Sequence, residues 1–179
     1  MSPAAGTTVK SDQRREAVVA TAVETFARRG FYGTTTHEIA GAARISQPYL
    51  YRLYPNKEAL FAAAVDHVSG VMTAALSTGS PATGDELGIR DAYTALIANR
   101  TILRFLMHAN CAASEPMIAE AVRRCYAKQV ATVRQLLGGD DDAVRRWFGA
   151  GMVENVVVVL GLADLDEPWA RILSTPLTS

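Results

Sequence analysis

The sequence predicts an all-α fold with a smaller N-terminal and a larger C-terminal helical part. Apolar residues recur at intervals of three and four along most of the chain, which places them on one face of a helix. Capping residues and glycine stop signals separate these runs, and no long alternating run typical of a strand occurs. With 179 residues, of which 49% are hydrophobic, the chain is large and apolar enough to bury a core.

The first helix is expected to begin near Ser11 or Asp12, because residues 1–10 are small, polar and unpatterned and predict a mobile tail. Two arginines in its last turn, followed by Gly30, are typical of a helix C-terminus.

Two short helices are then expected within residues 35–54. Thr35 begins the first of them, and Glu38 three residues later completes a capping box. Ser46 caps the second, where Pro48 is tolerated in the first turn. Together with the preceding amphipathic helix, this pair has the pattern of a helix-turn-helix, although ordinary helical hairpins are also common in all-α proteins.

A fourth helix is capped by Asn56, and the small and polar residues 77–84 predict a linker after it. The region after this linker fits either one bent helix or two. Further helices are expected at about 85–113, 116–137, 140–162 and 167–173.

Charged residues are unevenly distributed along the chain. The net charge is zero, but residues 10–60 hold eight basic and five acidic side chains, and the remainder holds ten basic and thirteen acidic ones. A basic N-terminal third favours contact with nucleic acid, and the acidic remainder indicates a different task.

The identities of the residues in the N-terminal part make contact with DNA more specific. The segment Gly30–Phe61 closely resembles the DNA-binding domain of TetR-family transcriptional regulators, and the match extends over about Ser11–Val71. The matching positions are Phe26, Gly30, Phe31, Thr34-Thr35, Ile39-Ala40, Ile45-Ser46, Leu50-Tyr51 and Lys57-Glu58-Ala59-Leu60. The resemblance implies a helix-turn-helix DNA-binding domain at 11–71 and a helical dimerisation and ligand-binding domain at 72–179. It also implies a homodimeric repressor that binds operator DNA, with a small hydrophobic ligand, or no ligand at all, acting at the C-terminal domain to release it.

The resemblance further implies a set of DNA contacts, at Thr35, Thr36, His37, Arg44, Ser46, Gln47, Pro48, Tyr49, Tyr51 and Lys57. An amide such as that of Gln47 pairs with adenine, and Pro48 or the Tyr49 ring can pack on a thymine methyl group. Other interpretations remain open for several positions: His37 and Lys57 also suit solvated side chains, and Tyr51 suits a packing ring. Arg52 fits a phosphate contact or simple surface charge.

Arg44 departs from the family pattern, which usually has glycine at this turn position. If the turn needs a positive φ, arginine costs about 1 kcal/mol of strain there. Alternatively, Arg44 adds a phosphate contact. Tyr49 is also large for its position, which affects the expected base preference.

The run Val156–Leu162 is apolar around the whole helix circumference, which a thin core cannot bury on all sides. The resemblance implies that the last two long helices pair with a symmetry mate in a four-helix bundle; a fully buried central helix is the alternative. A mixed set of aromatic, sulfur-containing and polar residues suits either a ligand pocket or a plain core: Met72, Phe105, His108, Trp147, Met152 and Asn155.

A small enzyme and a helical protein-interaction module are the alternative classes of protein for this sequence. His108 and Cys111 lie three residues apart, but no third ligand is patterned nearby, so neither a metal nor a cofactor is expected. The interaction module leaves the residues of the second short helix unexplained. Two cysteines make no disulfide framework and predict a cytoplasmic protein. The longest apolar stretch, Val156–Ala163, is too short for a membrane span, so no membrane partner is expected.

Overall fold

The computed structural model describes residues 4–79 and 86–175, and within these ranges it contains helices and no strands. This confirms the predicted all-α class. The helices are α1 Ala4–Arg29, α2 Thr36–Ala42, α3 Gln47–Leu53, α4 Lys57–Gly79, α5 Glu86–Ile97, α6 Arg100–Cys111, α7 Pro116–Leu136, α8 Asp141–Leu160 and α9 Pro168–Ser174, with a 3₁₀ turn at Leu162–Asp164.

Two helix boundaries differ from those expected. α1 begins at Ala4 rather than near Ser11, so the predicted tail was wrong from that residue onward, and residues 1–3 lie outside the described part. Ala4 and Ala5 favour a helix, and Gly6, Thr7 and Thr8 each cost it about 1 kcal/mol or less, which does not end it. α4 continues through Gly79 into the expected linker, where the Thr78 hydroxyl donates to the carbonyl of Ala74 at 2.9 Å. The rest of that linker, residues 80–85, lies outside the described part.

The region expected to be one bent helix or two is two helices, α5 and α6. The chain leaves α5 at residues 98–99, and the Asn99 side-chain oxygen accepts from the backbone N–H of Thr101 at 3.1 Å. An asparagine amide that satisfies a free N–H in the first turn is a typical start for a new helix.

The described chain forms two compact units. The first comprises the chain up to Val68 together with Phe105–Arg124, and the second comprises Ser69–Arg104 and the chain from Cys125 onward. The predicted domain boundary between residues 71 and 72 remains a prediction. It falls close to the division after Val68, but the first unit also includes residues from α6 and α7.

Aromatic rings form the core of the first unit. The Phe61 ring lies 4.7 Å from that of Phe26, 5.4 Å from that of Phe31 and 5.1 Å from that of Phe105, measured between centroids. All four side chains are buried. Such rings contribute both buried area and favourable edge contacts, so α6 contributes to the core of the first unit through Phe105.

By length and composition alone, residues Lys57–Thr78 of α4 could cross a membrane. Half of the apolar stretch that passes this test is, however, buried inside the protein. Its fully buried residues include Leu60, Ala64, Val68 and Leu76, which recur at helical spacing. Packing therefore accounts for the apolar character of α4.

A buried polar cluster joins α4 and α7 within the second unit. The Gln129 side-chain N–H group donates to the Ser69 carbonyl at 3.1 Å and to the Thr73 hydroxyl at 3.2 Å. Gln129 is only 2% exposed, and its Oε1 has no hydrogen-bond partner. The Ser69 carbonyl only accepts, so it fixes which end of the amide faces α4.

Candidate nucleic-acid interface

α2 begins with a complete capping box. The Thr35 hydroxyl accepts from the Glu38 N–H at 3.2 Å, and the Glu38 carboxylate accepts from the Thr35 N–H at 2.8 Å. The same carboxylate pairs with Arg29 at 2.9 Å. The hydrogen bonds from the Thr35 backbone and hydroxyl, followed by the charge of Arg29, hold the pKa of Glu38 below its ordinary value. The box predicted from the sequence is confirmed, and it holds the start of α2 rigidly.

α2 ends in a tight turn that leads directly into α3. The Ile45 N–H donates to the Ala40 carbonyl at 3.0 Å, and the Arg44 N–H donates to the Gly41 carbonyl at 3.1 Å. This pair of bonds is the Schellman arrangement, which needs a left-handed residue after the helix. Arg44 fills that position with a φ of 55°, the only positive φ of a non-glycine residue in the described ranges. The turn thus has the conformation that favours glycine, with arginine in place.

α3 presents one face to the domain core and the other to solvent. Ser46 caps it by accepting from the Tyr49 N–H at 3.3 Å, and Leu50 anchors it, being 1% exposed. Pro48, Tyr51 and Arg52 lie on the exposed side. The cap and the proline in the first turn were both predicted from the sequence, and both are confirmed.

A hydrogen-bonded network ties α2 to α3 at this surface. The buried Thr36 hydroxyl lies 3.0 Å from the Tyr51 hydroxyl and accepts from the Gln47 side-chain N–H at 3.0 Å. Gln47 and Tyr51, both predicted DNA contacts, are therefore held in place by Thr36. Thr36 itself is 9% exposed, so its observed role is to join the two helices. His37 and Ser46 are exposed beside this network.

Lys57 is engaged inside the domain. Its ammonium group donates to the carbonyls of Phe31 at 2.9 Å and Thr34 at 3.2 Å, and lies 4.2 Å from the centroid of the Phe31 ring. It thereby fastens the loop between α1 and α2 to the first turn of α4. A phosphate contact from Lys57 stays a prediction. The two carbonyl bonds use two of the three N–H groups of the ammonium, and the third remains for such a contact.

Sequence reasoning missed a contribution from α1. The guanidinium carbon of Arg14 lies 6.0 Å from the centre of the Tyr49 ring, and that of Arg15 lies 5.9 Å from the centre of the Tyr54 ring. Both arginines precede Phe26, the first position that matches the family pattern, by more than ten residues. The basic cluster at the start of α1 was the available signal, but only the folded chain shows which tyrosines it approaches.

The residues predicted to bind a ligand are divided between the two units. Met72, Trp147, Met152 and Asn155 belong to the second, whereas Phe105 and His108 belong to the first. Phe105 lies in the aromatic core, and the His108 ring packs on Gly30, where an added Cβ would lie 2.8 Å from its Nδ1.

Within the second unit, Trp147 and Asn155 meet around Tyr93. The Tyr93 hydroxyl donates to the Asn155 side-chain oxygen at 2.8 Å, and its ring lies 5.2 Å from that of Trp147. Burial, opposed by the Asn155 hydrogen bond, raises the pKa of Tyr93 to about 12. Met72 is buried, and Met152 is 53% exposed. The ligand assignment stays a prediction.

The described residues contain no group of three or more His, Cys, Asp or Glu side chains arranged to hold a metal ion. Cys111 is exposed and Cys125 is buried.

The capped helix pair, the tight turn and the exposed face of α3 define a helix-turn-helix protein. The family described as bacterial regulatory proteins, tetR family, matches residues 18–64. The HTH-type transcriptional regulator RutR of Escherichia coli K12 is 33% identical over 63 residues, which are 35% of this chain and 30% of RutR. The match thus spans less than a third of that protein. Residues 18–64 therefore match the tetR family, as the sequence resemblance of this part of the chain predicted.

Solved structures extend the likeness to most of the chain at the level of the fold. FadR from Bacillus subtilis, crystallised in complex with stearoyl-CoA, has a TM-score of 0.69 at 14% identity, covering 91% of this chain and 99% of FadR. A transcriptional regulator from Pseudomonas aeruginosa PAO1 has a TM-score of 0.66 at 20% identity, covering 91% of this chain and 86% of the other. At these identities the likeness shows the fold alone.

Proposed function

We propose that the protein is a sequence-specific DNA-binding transcriptional regulator in the cytoplasm, a homodimeric repressor that a small hydrophobic ligand releases from its operator. The observation that carries the proposal is the exposed face of α3, held by the Thr36 network and surrounded by arginines. In a helix-turn-helix the second helix lies in the major groove, with its N-terminal residues at the base edges. Gln47, Pro48 and Tyr49 are those residues here.

Exposed positive charge around α3 supports this docking. Arg14, Arg15, Arg44 and Arg52 are all exposed, and they come from α1, the turn and α3. Arginine binds phosphate through two parallel N–H groups, and each neutralised phosphate releases condensed counterions. The affinity for DNA should therefore fall steeply with salt.

Electrophoretic mobility with the DNA upstream of its own coding sequence tests the proposal. Gln47→Ala should relax the preference at one base pair by roughly 1–3 kcal/mol. Gln135→Ala is the matched control, because it removes the same amide from an exposed position of α7. An all-helical interaction module or an enzyme would show no salt-sensitive association with this DNA, and that result would reject the repressor.

Dimerisation is supported by the C-terminal half of α8. Val156, Val157, Val158 and Val159 are each only partly buried, and Leu160 is 61% exposed. The alternative of a fully buried central helix does not fit this exposure. A partner subunit would cover these side chains and place two α3 helices about 34 Å apart, one turn of DNA.

Val158→Glu should break the proposed dimer, since it places a carboxylate in the apolar face. Arg145→Glu puts a carboxylate on the exposed N-terminal half of the same helix and serves as the control. Sedimentation at micromolar concentration measures both. A wild-type protein that sediments as a monomer would contradict the proposal.

A ligand site is proposed in the second unit, around Trp147, Tyr93 and Asn155. Aromatic walls with a few polar groups are typical of sites for apolar ligands. Because FadR was crystallised with stearoyl-CoA, that compound and stearic acid are suitable first probes. Phe105 and His108 are left out because they pack in the first unit. No cofactor and no catalytic activity are proposed.

Quenching of Trp147 fluorescence measures the binding of either probe. The Trp169→Phe substitution leaves Trp147 as the single tryptophan of the chain. Operator DNA should weaken probe binding by the same factor by which the probe weakens DNA binding. Quenching that is unaffected by operator would separate binding from regulation and contradict the release mechanism.

A further inference from the structure

Two arginine side chains, one from α1 and one from α3, lie over the ring of Tyr49. The guanidinium carbon of Arg14, in α1, lies 6.0 Å from the ring centre, and that of Arg52, in α3, lies 5.8 Å from it. Both arginines are exposed, and Tyr49 is half-buried. Guanidinium groups favour the faces of tyrosine rings, and the planar group can stack there while its N–H groups remain available.

We propose that Arg14 binds a DNA phosphate from outside the helix-turn-helix and positions Tyr49 for contact with a base. This inference rests on the proposed DNA binding. Tyr49 is the third residue of α3, within the part of the helix that meets base edges. Phosphates line the groove on either side of those edges, so a cation stacked on the Tyr49 ring lies where the backbone passes. α1 thus becomes part of the DNA-binding surface.

The neighbouring pair of Arg15 and Tyr54 shows why the assignment falls on Arg14. Arg15 lies at a similar distance from its tyrosine, 5.9 Å. Tyr54, however, is the C-cap residue of α3, and burial raises its pKa. The Arg15 contact therefore lies at the end of α3 that is remote from the base edges.

Salt dependence of binding to a duplex from the upstream region tests the inference. Arg14→Ala should lower the slope of log affinity against log salt by about 0.9, the value of one phosphate. The advantage of the wild type over this variant then shrinks about 3.5-fold between 50 and 200 mM salt. Arg28→Ala is the control, because it removes the same charge from an exposed position about 21 Å further along α1.

Positioning of Tyr49 has its own readout. Arg14→Lys keeps the charge but loses the planar group, so it should retain the salt slope and relax the preference at one base pair. Tyr49→Ala should lose preference at the same pair, which is found by substituting each operator position in turn.

An Arg14→Ala variant with the wild-type melting temperature and an unchanged slope would overturn the phosphate contact. Unchanged base preference in Arg14→Lys would overturn the positioning role. Arg14→Gln, which also removes the charge, tests the salt slope if the alanine variant folds poorly. Wild-type protein that shows no salt-sensitive binding would reject the proposed function and this inference with it. The two failures are therefore distinguishable.

Discussion

Replacing Arg44 by glycine should stabilise the protein. Its φ of 55° lies in the left-handed region, which costs an L-residue about 1–2 kcal/mol and costs glycine almost nothing. Glycine loses more backbone freedom on folding, which offsets about 0.5–1 kcal/mol. The difference leaves a net gain in the free energy of unfolding of about 0.5–1 kcal/mol. The two backbone bonds of the turn are unaffected, since they use main-chain atoms only.

Urea unfolding at one fixed protein concentration measures this gain, with Arg44→Ala as the matched control. Alanine removes the same side chain but keeps the strain, so its stability should stay close to that of the wild type. If the glycine variant is no more stable than the alanine variant, the strain argument is refuted. Both variants should lower the salt slope of DNA binding equally if Arg44 also meets a phosphate, which separates the two roles.

Two further predictions concern titratable groups. Glu38→Gln should remove a pH-dependent part of the stability: because the Thr35 hydrogen bonds lower the pKa of Glu38 from 4.5, its contribution is complete above that value and is lost as the pH falls through the lowered pKa. Unfolding curves of wild type and variant that differ equally at every acid pH would contradict this. Tyr93 has a pKa raised by burial to about 12, so its contribution is complete below about pH 10 and is lost as the pH rises towards 12. Tyr93→Phe should abolish the tyrosine ionisation that occurs at the highest pH in an ultraviolet titration. It should also lower the free energy of unfolding by about 1 kcal/mol, because Asn155 loses its hydrogen-bond donor. An unchanged titration would assign that ionisation to another tyrosine.

The parts of the interface that were predictable depend on residues close together in the sequence. The Thr35–Glu38 box and the Ser46 and Asn56 caps each join a side chain to a backbone N–H three residues away. Such contacts follow from local backbone geometry, so the pattern of residue types is sufficient to find them. The positive φ of Arg44 was likewise foreseeable, because the turn length and the family resemblance defined its position.

The parts that were missed depend on contacts between distant segments. Lys57 meets carbonyls more than twenty residues earlier, and Arg14 meets Tyr49 across two helices. The sequence left Phe105 open as a pocket or a core residue, and its ring lies 5.1 Å from that of Phe61 in the folded chain. An apolar residue has the same sequence signature in either setting, so only the packing distinguishes them.

The buried Gln129 determines the register of α7 against α4. If α7 slid along α4 by about half a turn, the amide N–H group would leave Ser69 and Thr73 and remain buried without acceptors, until a full turn of about 5.4 Å placed it opposite Thr73 and Ser77. That loss costs about 1–3 kcal/mol, whereas a buried valine such as Val133 would tolerate new apolar neighbours. The seam between these helices therefore resists gradual sliding, and any change of register there should occur as a discrete step between two arrangements.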